Sequence, residues 1–169
     1  MINYNFFKNK RILVTGHTGF KGSWLVAWLN LLGCKVMGIS LNSNGEKNHF
    51  KILKKDLKII DRRGDIRNFG YLKKHIKKFK PDIVFHLAAQ AIVSTSYKYP
   101  KKTIETNVLG TLNLLSVLAE LKHKCVAVLI TSDKCYKNIE VSRGYKETDQ
   151  LGGDDFYSSS KASAELIIN

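Results

Sequence analysis

Cysteine is scarce in this chain of 169 residues: it has only Cys34, Cys125 and Cys135. An odd, small number in or beside apolar runs, with no CxxC or Cys/His spacing, excludes both a disulfide framework and a zinc site. A reducing, cytoplasmic setting is expected. Long apolar runs are also missing. The longest, "WLVAWLNLLG", is too short to span a bilayer and reads as a buried helix, so no membrane partner is expected. The opening "MINYNFFKNK" has no apolar stretch before its charges, and no secretory leader is expected. Acidic residues number 14 against 28 Lys and Arg, a formal charge of +14. That excess raises nucleic-acid binding as a hypothesis. The lysines, however, are scattered through "KKDLK", "LKKHIKKFK" and "YKYPKK" on what read as solvent faces, so no nucleic-acid partner is expected. There is no internal repeat and no linker-like stretch. What is present is an apolar content of 44% over the length of one ordinary domain, enough for a real core.

The pattern along the chain alternates strands and helices. "RILVT" is a β-branched run that stops at a glycine, and "GSWLVAWLNLLG" follows as a helix with Gly33 at its C-terminal cap. "CKVMGIS" reads as a second strand, "KNHFKILKK" as a short helix and "LKIIDRRGDI" as holding a third strand. Phe69, Leu72, Ile76 and Phe79 fall at helical spacing, and Pro81 ends that helix. "DIVFHLAAQ" is a fourth strand leading into a loop. Residues 102–121 form the clearest helix, with Ile104, Val108, Leu112, Leu115 and Ala119 predicted on one face. "VAVLIT" is the fifth strand, the turn-rich stretch from Lys137 to Asp155 a long loop, and "FYSSSKASAELII" the last helix. This order predicts an α/β fold: a Rossmann-like, doubly wound parallel sheet with helices on both faces.

Four places carry chemistry. The first strand runs into "TGHTGFKG", with glycines at 16, 19 and 22. A strand, a glycine loop and a helix start let backbone N–H groups approach a pyrophosphate at the positive end of a helix dipole. The second strand ends in Ser40, Leu41 and Asn42, without the carboxylate that ordinarily holds a ribose 2′-hydroxyl. Arg62 and Arg63 stand where a 2′-phosphate is conceivable, although surface charge is the plainer account. Asp65 in "GDIR" and the small residues of "HLAAQ" lie at strand C-terminal ends, where doubly wound sheets bind ligands; His86 reads as a packed histidine. In "YSSSK", Tyr157 and Lys161 are four apart and share a helical face. A fixed ammonium favours the phenolate and lowers a tyrosine pKa from about 10, which makes a proton acceptor for an alcohol being oxidised. Finally "TSDKCY" sets Ser132, Asp133 and Lys134, a hydroxyl, an acid and a base, at one strand tip.

With "VTGHTGFKGSWL", "GDIR", "VFHLAAQ", "TNVLGT", "TSDKCY" and "LGGDDFYSSSK", the chain resembles the extended short-chain dehydrogenase/reductases over its whole length. Within them it is most similar to the CDP-glucose 4,6-dehydratase family of lyases. That resemblance implies NAD, retained through the cycle. Gly16, Thr18, Gly19, Phe20, Lys21 and Gly22 would line the pyrophosphate, and Asp65 and Ile66 would hold the adenine. Leu87, Ala88, Ala89, Gln90, Thr106 and Thr131 would border the nicotinamide half, together with Tyr157 and Lys161. Asn107 would position the strand-four region. The implied catalytic set is Ser132, Asp133, Lys134, Tyr157 and Lys161. Tyr157 would take the proton of the sugar C4 hydroxyl with Ser132 as its partner, and Asp133, held protonated, would assist the leaving hydroxide. Lys134 would either take the C5 proton as a neutral amine, if burial beside the cofactor and Lys161 lowers its pKa against the pull of Asp133, or stay charged and stabilise the C5 enolate.

The implied substrate is CDP-glucose, and the implied product is a CDP-4-keto-6-deoxyglucose for deoxysugar synthesis of the O-antigen or lipopolysaccharide kind. The resemblance also implies a homodimer for the full-length family. Residues 1–169 are expected to be an incomplete NAD-binding Rossmann domain, with the C-terminal nucleotide-sugar-binding domain absent and little activity alone. Rival readings are an inverting UDP-sugar 4,6-dehydratase or an epimerase of the same fold, and a non-catalytic dinucleotide-binding fragment.

Overall fold

The structure is a computed structural model and describes residues 4–42 and 48–169. Five strands form one parallel sheet: β1 (Arg11–Thr15), β2 (Lys35–Ser40), β3 (Ile59–Arg63), β4 (Ile83–His86) and β5 (Val126–Leu129), in the order β3-β2-β1-β4-β5. Burial follows position in the sheet. The inner strand β1 is an unbroken apolar run, Ile12, Leu13 and Val14 all fully buried, because helices cover both faces there. The edge strands β3 and β5 instead alternate between more and less exposed residues. Leu13 lies opposite Met37 on β2 and Val84 on β4, and these three share one core cluster with Leu72, Ile76, Leu114 and Val117. The other face packs Ile12, Val14 and Val36 against Val26, Leu29 and Phe50. Strand order reverses between β1 and β4, so the tips at Thr15 and His86 flank a crevice of the kind that binds ligands in such sheets.

Helix α1 (Phe20–Leu31) starts two residues before the glycine at which the sequence pattern places it. Gly33, just past its end, has φ +74, and the Cys34 N–H returns to the Leu29 carbonyl at 3.1 Å, a left-handed closure of the last turn. The helix is apolar on both sides. Ser23, Val26 and Leu29 face the sheet, while Phe20, Trp24, Trp28 and Leu31 are exposed. Helix α2 (His49–Leu53) follows; Lys47, included in the expected helix, lies outside the described residues. Helix α3 (Phe69–Phe79) matches its apolar pattern: the Asn68 side chain caps it by accepting from the Tyr71 N–H, and Lys80, at φ 54, ends it before Pro81.

The expected helix over 102–121 is a composite: α4 (Val93–Lys98) precedes α5 (Pro100–Ile104), a π-helical turn (Glu105–Leu109) and α6 (Gly110–Ala119). The predicted apolar face is not the buried one. Thr103, Asn107, Gly110, Thr111, Leu114 and Val117 turn inward, whereas Leu112 is 44% exposed and Ala119 is also exposed. A π turn takes up extra residues, so the face defined before it does not continue with a period of 3.6 after it. Helix α7 (Phe156–Ile168) closes the described chain, its start capped by the Asp155 carboxylate, which accepts from the Tyr157 and Ser158 N–H groups at 2.8 and 3.0 Å. The long loop before it is tied down by a Tyr136–Leu151 bridge and a two-pronged Arg143–Asp149 pair, both prongs 2.7 Å. All three cysteines are free, and no described helix is long and apolar enough to cross a membrane.

Candidate active site

The glycine loop is built by close backbone approach. Gly16 has φ +75, and a Cβ there would stand 2.8 Å from the Ala88 nitrogen; at Gly22 it would stand 2.2 Å from the Gly16 carbonyl oxygen. Glycine at both positions lets the backbone after β4 and the first turn of α1 close on the loop. The loop is also held from outside. The Thr18 and Ser40 hydroxyls meet at 2.7 Å, so the residue at the acid-free tip of β2 grips the loop. The His17 ring is fully buried, its Nε2 3.0 Å from Asp61 Oδ1 on β3. Burial lowers the His17 pKa against the pull of that carboxylate. Burial also works against the Asp61 carboxylate, but hydrogen bonds from Lys54, His17 and Arg63 outweigh it and hold its pKa below the ordinary value.

A cavity of about 490 Å³ opens above these tips. Gly16, Thr18, Gly19, Phe20, Lys21 and Gly22 line one end, Asp65 and Ile66 one wall, and Leu87, Ala88, Ala89 and Thr106 the opposite side. Thr131, Tyr157 and Lys161 close the far end. Of the catalytic and cofactor-binding residues that the resemblance implies, Gln90, Ser132, Asp133 and Lys134 do not line it. The Gln90 side chain turns to Thr103 Oγ1 and the Ile92 backbone. Conversely Gly64, Arg67, Ala91, Lys102 and Ile130 line the cavity without having been given a role from sequence. Arg67 had one legible signal, the pairing in "GDIR": its backbone N–H and guanidinium grip Asp65 at 2.7–3.0 Å, and it also reaches Glu105 at 3.1 Å. Those hydrogen bonds hold the Asp65 carboxyl below its usual range.

Neither arginine proposed for a 2′-phosphate lines the cavity. Arg63 is occupied by Asp61 at 2.9 Å and the Leu41 carbonyl at 3.1 Å, and lies over the Phe50 ring. Arg62 is exposed and acts electrostatically on His75 of α3. The alternation along edge strand β3 sends the two side chains to opposite faces.

Tyr157 and Lys161 are both buried on α7, with the ammonium 5.9 Å from the phenol ring centroid. Burial pushes the Lys161 pKa down, opposed by Cys135 and Glu165. A polar network anchors this helix. Asn107 donates to Ser160 Oγ at 2.8 Å and to the Gln90 carbonyl at 3.0 Å, and accepts from the Gln90 N–H at 2.7 Å. Ser160 in turn donates to the Tyr157 carbonyl at 2.6 Å. The π turn is what aims Asn107 at both the β4 loop and α7. Beneath it, buried His86 lies between Thr15 Oγ1 at 2.7 Å and Thr111 Oγ1 at 3.0 Å, with its pKa lowered to about 4 by burial and by Lys161. It is packed, as its sequence context suggests.

At the tip of β5, Ser132 caps a short 3₁₀ turn (Asp133–Cys135): it accepts from the Lys134 N–H at 3.2 Å and donates to Asp133 Oδ1 at 2.9 Å. Asp133 and Lys134 are both exposed at this tip. Thr131 donates to the carboxylate of Glu165, a residue no motif had marked.

A family model described as GDP-mannose 4,6 dehydratase matches residues 13–169. The CDP-glucose 4,6-dehydratase of Salmonella typhimurium is 47% identical over the whole chain, which spans 47% of that protein. Among solved structures, DesIV of Streptomyces venezuelae, a dTDP-glucose 4,6-dehydratase with NAD and TYD bound, is 29% identical with a TM-score of 0.80 over 93% of this chain and 50% of that one. The dTDP-glucose 4,6-dehydratase of Bacillus anthracis, in complex with NAD, is 28% identical with a TM-score of 0.77 over 94% of this chain and 49% of that one. The chain spans about half the length of the relatives it matches. The matched model and the Rossmann-like fold together establish that the chain belongs to the GDP-mannose 4,6 dehydratase family of extended short-chain dehydrogenase/reductases.

Proposed function

We propose that this chain is the dinucleotide-binding part of a cytoplasmic nucleotide-sugar 4,6-dehydratase that holds NAD and acts on CDP-glucose. The observation that carries the reading is the single cavity wall shared by the glycine loop at one end and Tyr157 with Lys161 at the other. The donor set suits a dinucleotide: loop N–H groups and Lys21 for the pyrophosphate, Asp65 and Ile66 for the adenine, Lys161 for the ribose beside the nicotinamide. The 47% identity to a CDP-glucose enzyme supports that substrate over the UDP-sugar alternatives.

Bound NAD supplies a reversible hydride acceptor, so the sugar is oxidised at C4 and reduced at C6 without net cofactor change. Tyr157 takes the C4 hydroxyl proton, with Lys161 beside its ring, while Ser132 hydrogen-bonds the same hydroxyl. The resulting ketone acidifies C5–H. Lys134 accepts that proton or stabilises the enolate, and Asp133 protonates the departing C6 hydroxide. Because both are exposed here, these two roles require the substrate, or the second half of the relatives' length, to cover the β5 tip. A homodimer is part of the reading, and exposed Leu109, Leu112 and Leu166 on the composite helix and α7 support it.

The test is a chimera of residues 1–169 with the second half of the Salmonella enzyme, offered CDP-glucose and UDP-glucose separately. Release of a CDP-4-keto-6-deoxy sugar is expected. Interconversion of UDP-sugars would favour the epimerase reading, and NAD binding without turnover of either would favour a non-catalytic domain.

A further inference from the structure

Glu165 is a carboxylate one hydrogen bond behind the cavity wall, and the scheme above gives it no role. It stands four residues after Lys161 on α7, so both side chains leave the same helical face. It accepts the hydroxyl hydrogen of Thr131, which is at once a cavity wall beside Tyr157 and the residue before Ser132, Asp133 and Lys134. One carboxylate therefore joins the two elements that carry the reacting groups.

Charge gives a second reason. Lys161 is 6% exposed, and burial favours its neutral amine, which would do nothing for the Tyr157 phenolate. The groups around it are Tyr157 and Glu165 on α7, Cys135 on the 3₁₀ turn and His86 on β4, with Asp133 and Lys134 exposed beyond. Burial raises the Cys135 thiol pKa, so it brings no charge at neutral pH, and His86 is neutral there as well. Glu165 is the charge that remains to oppose the cost of burial.

We propose that Glu165 is a positioning residue of the site: it fastens the β5 tip to the YxxxK helix through Thr131 and is the counter-charge that keeps Lys161 an ammonium. This rests on the reading of Tyr157 and Lys161 as base and activator. Glu165→Gln keeps the size and an acceptor oxygen but removes the charge, whereas Thr131→Val removes the donor and keeps the charge. Lys161 is titrated by ¹³C-lysine NMR in the 169-residue chain, its signal assigned with Lys161→Arg. Glu165→Gln should lower the Lys161 midpoint by about one unit, a tenfold change in the amine-to-ammonium ratio, and Thr131→Val should move it by less than about 0.3 unit. NAD, titrated separately, should bind about three- to tenfold more weakly to Thr131→Val as the cavity wall loosens. An unchanged Lys161 midpoint in a folded Glu165→Gln protein overturns the proposal. If that variant does not fold, the wild-type titration decides: the Lys161 signal must step as the Glu165 carboxylate protonates, and no step overturns it. Failure of the wild type to bind NAD would sink the functional reading while leaving the Lys161 result to stand or fall alone.

Discussion

Replacing Gly16 with alanine tests the geometry of the glycine loop, because its cost splits into two parts that other glycines measure separately. The first part is conformational. A side chain at φ +75 costs about 1–2 kcal/mol, offset by about 0.4–1 kcal/mol from the stiffer unfolded chain. The second part is contact. The new Cβ would lie 2.8 Å from Ala88 N and Leu87 C and 2.9 Å from Ala88 Cα, all backbone, so no side chain can rotate away. Overpacking of that kind adds about 1–3 kcal/mol. The sum is about 1–5 kcal/mol, centred on ~3, which for a chain of this size lowers Tm by about 2–20 °C. Gly33 isolates the first part: its φ is +74, yet its new Cβ would meet only Lys8 Cγ, at 3.7 Å. Gly33→Ala should therefore cost about 1 kcal/mol, or about 2–4 °C. Gly19, with φ −72 and a nearest contact of 3.3 Å, should shift Tm by less than about 2 °C. Thermal melts followed by circular dichroism, with urea titrations alongside, read all three. If Gly16→Ala melts together with Gly33→Ala, the backbone after β4 does not approach the loop as described, and the account of the cavity floor fails with it.

Stability should fall on acidification from about pH 6.5 toward 4, since folded His86 stays neutral down to about 4 while its unfolded form protonates near 6.5. His17 and His75 are shifted in the same direction, so a melting temperature flat across that window would contradict all three. The chain should self-associate through β5, which pairs only with β4 among the described residues and exposes Val126, Val128 and Ile130. Light scattering should show this and show it reduced in Val128→Lys; a monodisperse wild type refutes it. In the chimera, Tyr157→Phe should abolish sugar oxidation while leaving NAD affinity within about threefold, because the ring packing survives loss of the hydroxyl. Retained turnover would mean that another group is the base.

The parts of this molecule legible from sequence are those set by local chemistry. The unbroken apolar run of β1, the period of α3 between Asn68 and Pro81, and the strand–glycine–helix unit at 11–31 each carry their signal within a few residues. What escaped was set by partners distant along the chain. The π turn turns Leu112 outward and Asn107 inward because Asn107 must serve Gln90 and Ser160, 17 and 53 residues away. Arg63, for which surface charge is the plainer account from sequence, is held by Asp61 and the Leu41 carbonyl. Nothing near Glu165 in sequence announces its partner Thr131, 34 residues away. The motif around Lys134 fixes only its place at a strand tip, not what covers that tip.

The hydrogen-bond chain through His86 has only one self-consistent direction. Thr111 donates to the Asn107 carbonyl at 2.8 Å, so its oxygen must accept from His86 Nε2–H. That leaves His86 Nδ1 to accept from the Thr15 hydroxyl, whose own lone pair receives the Ala88 N–H at 3.2 Å. Every member is thereby committed, and His86 can neither take up nor pass on a proton without orphaning a buried neighbour. The consequence is historical as much as chemical. Thr15, His86 and Thr111 cannot drift one at a time: a first substitution strands a donor or an acceptor in the core, and a second then relieves part of that cost. These three positions, 71 and 25 residues apart along the chain, should therefore behave as one inherited character, kept or exchanged together.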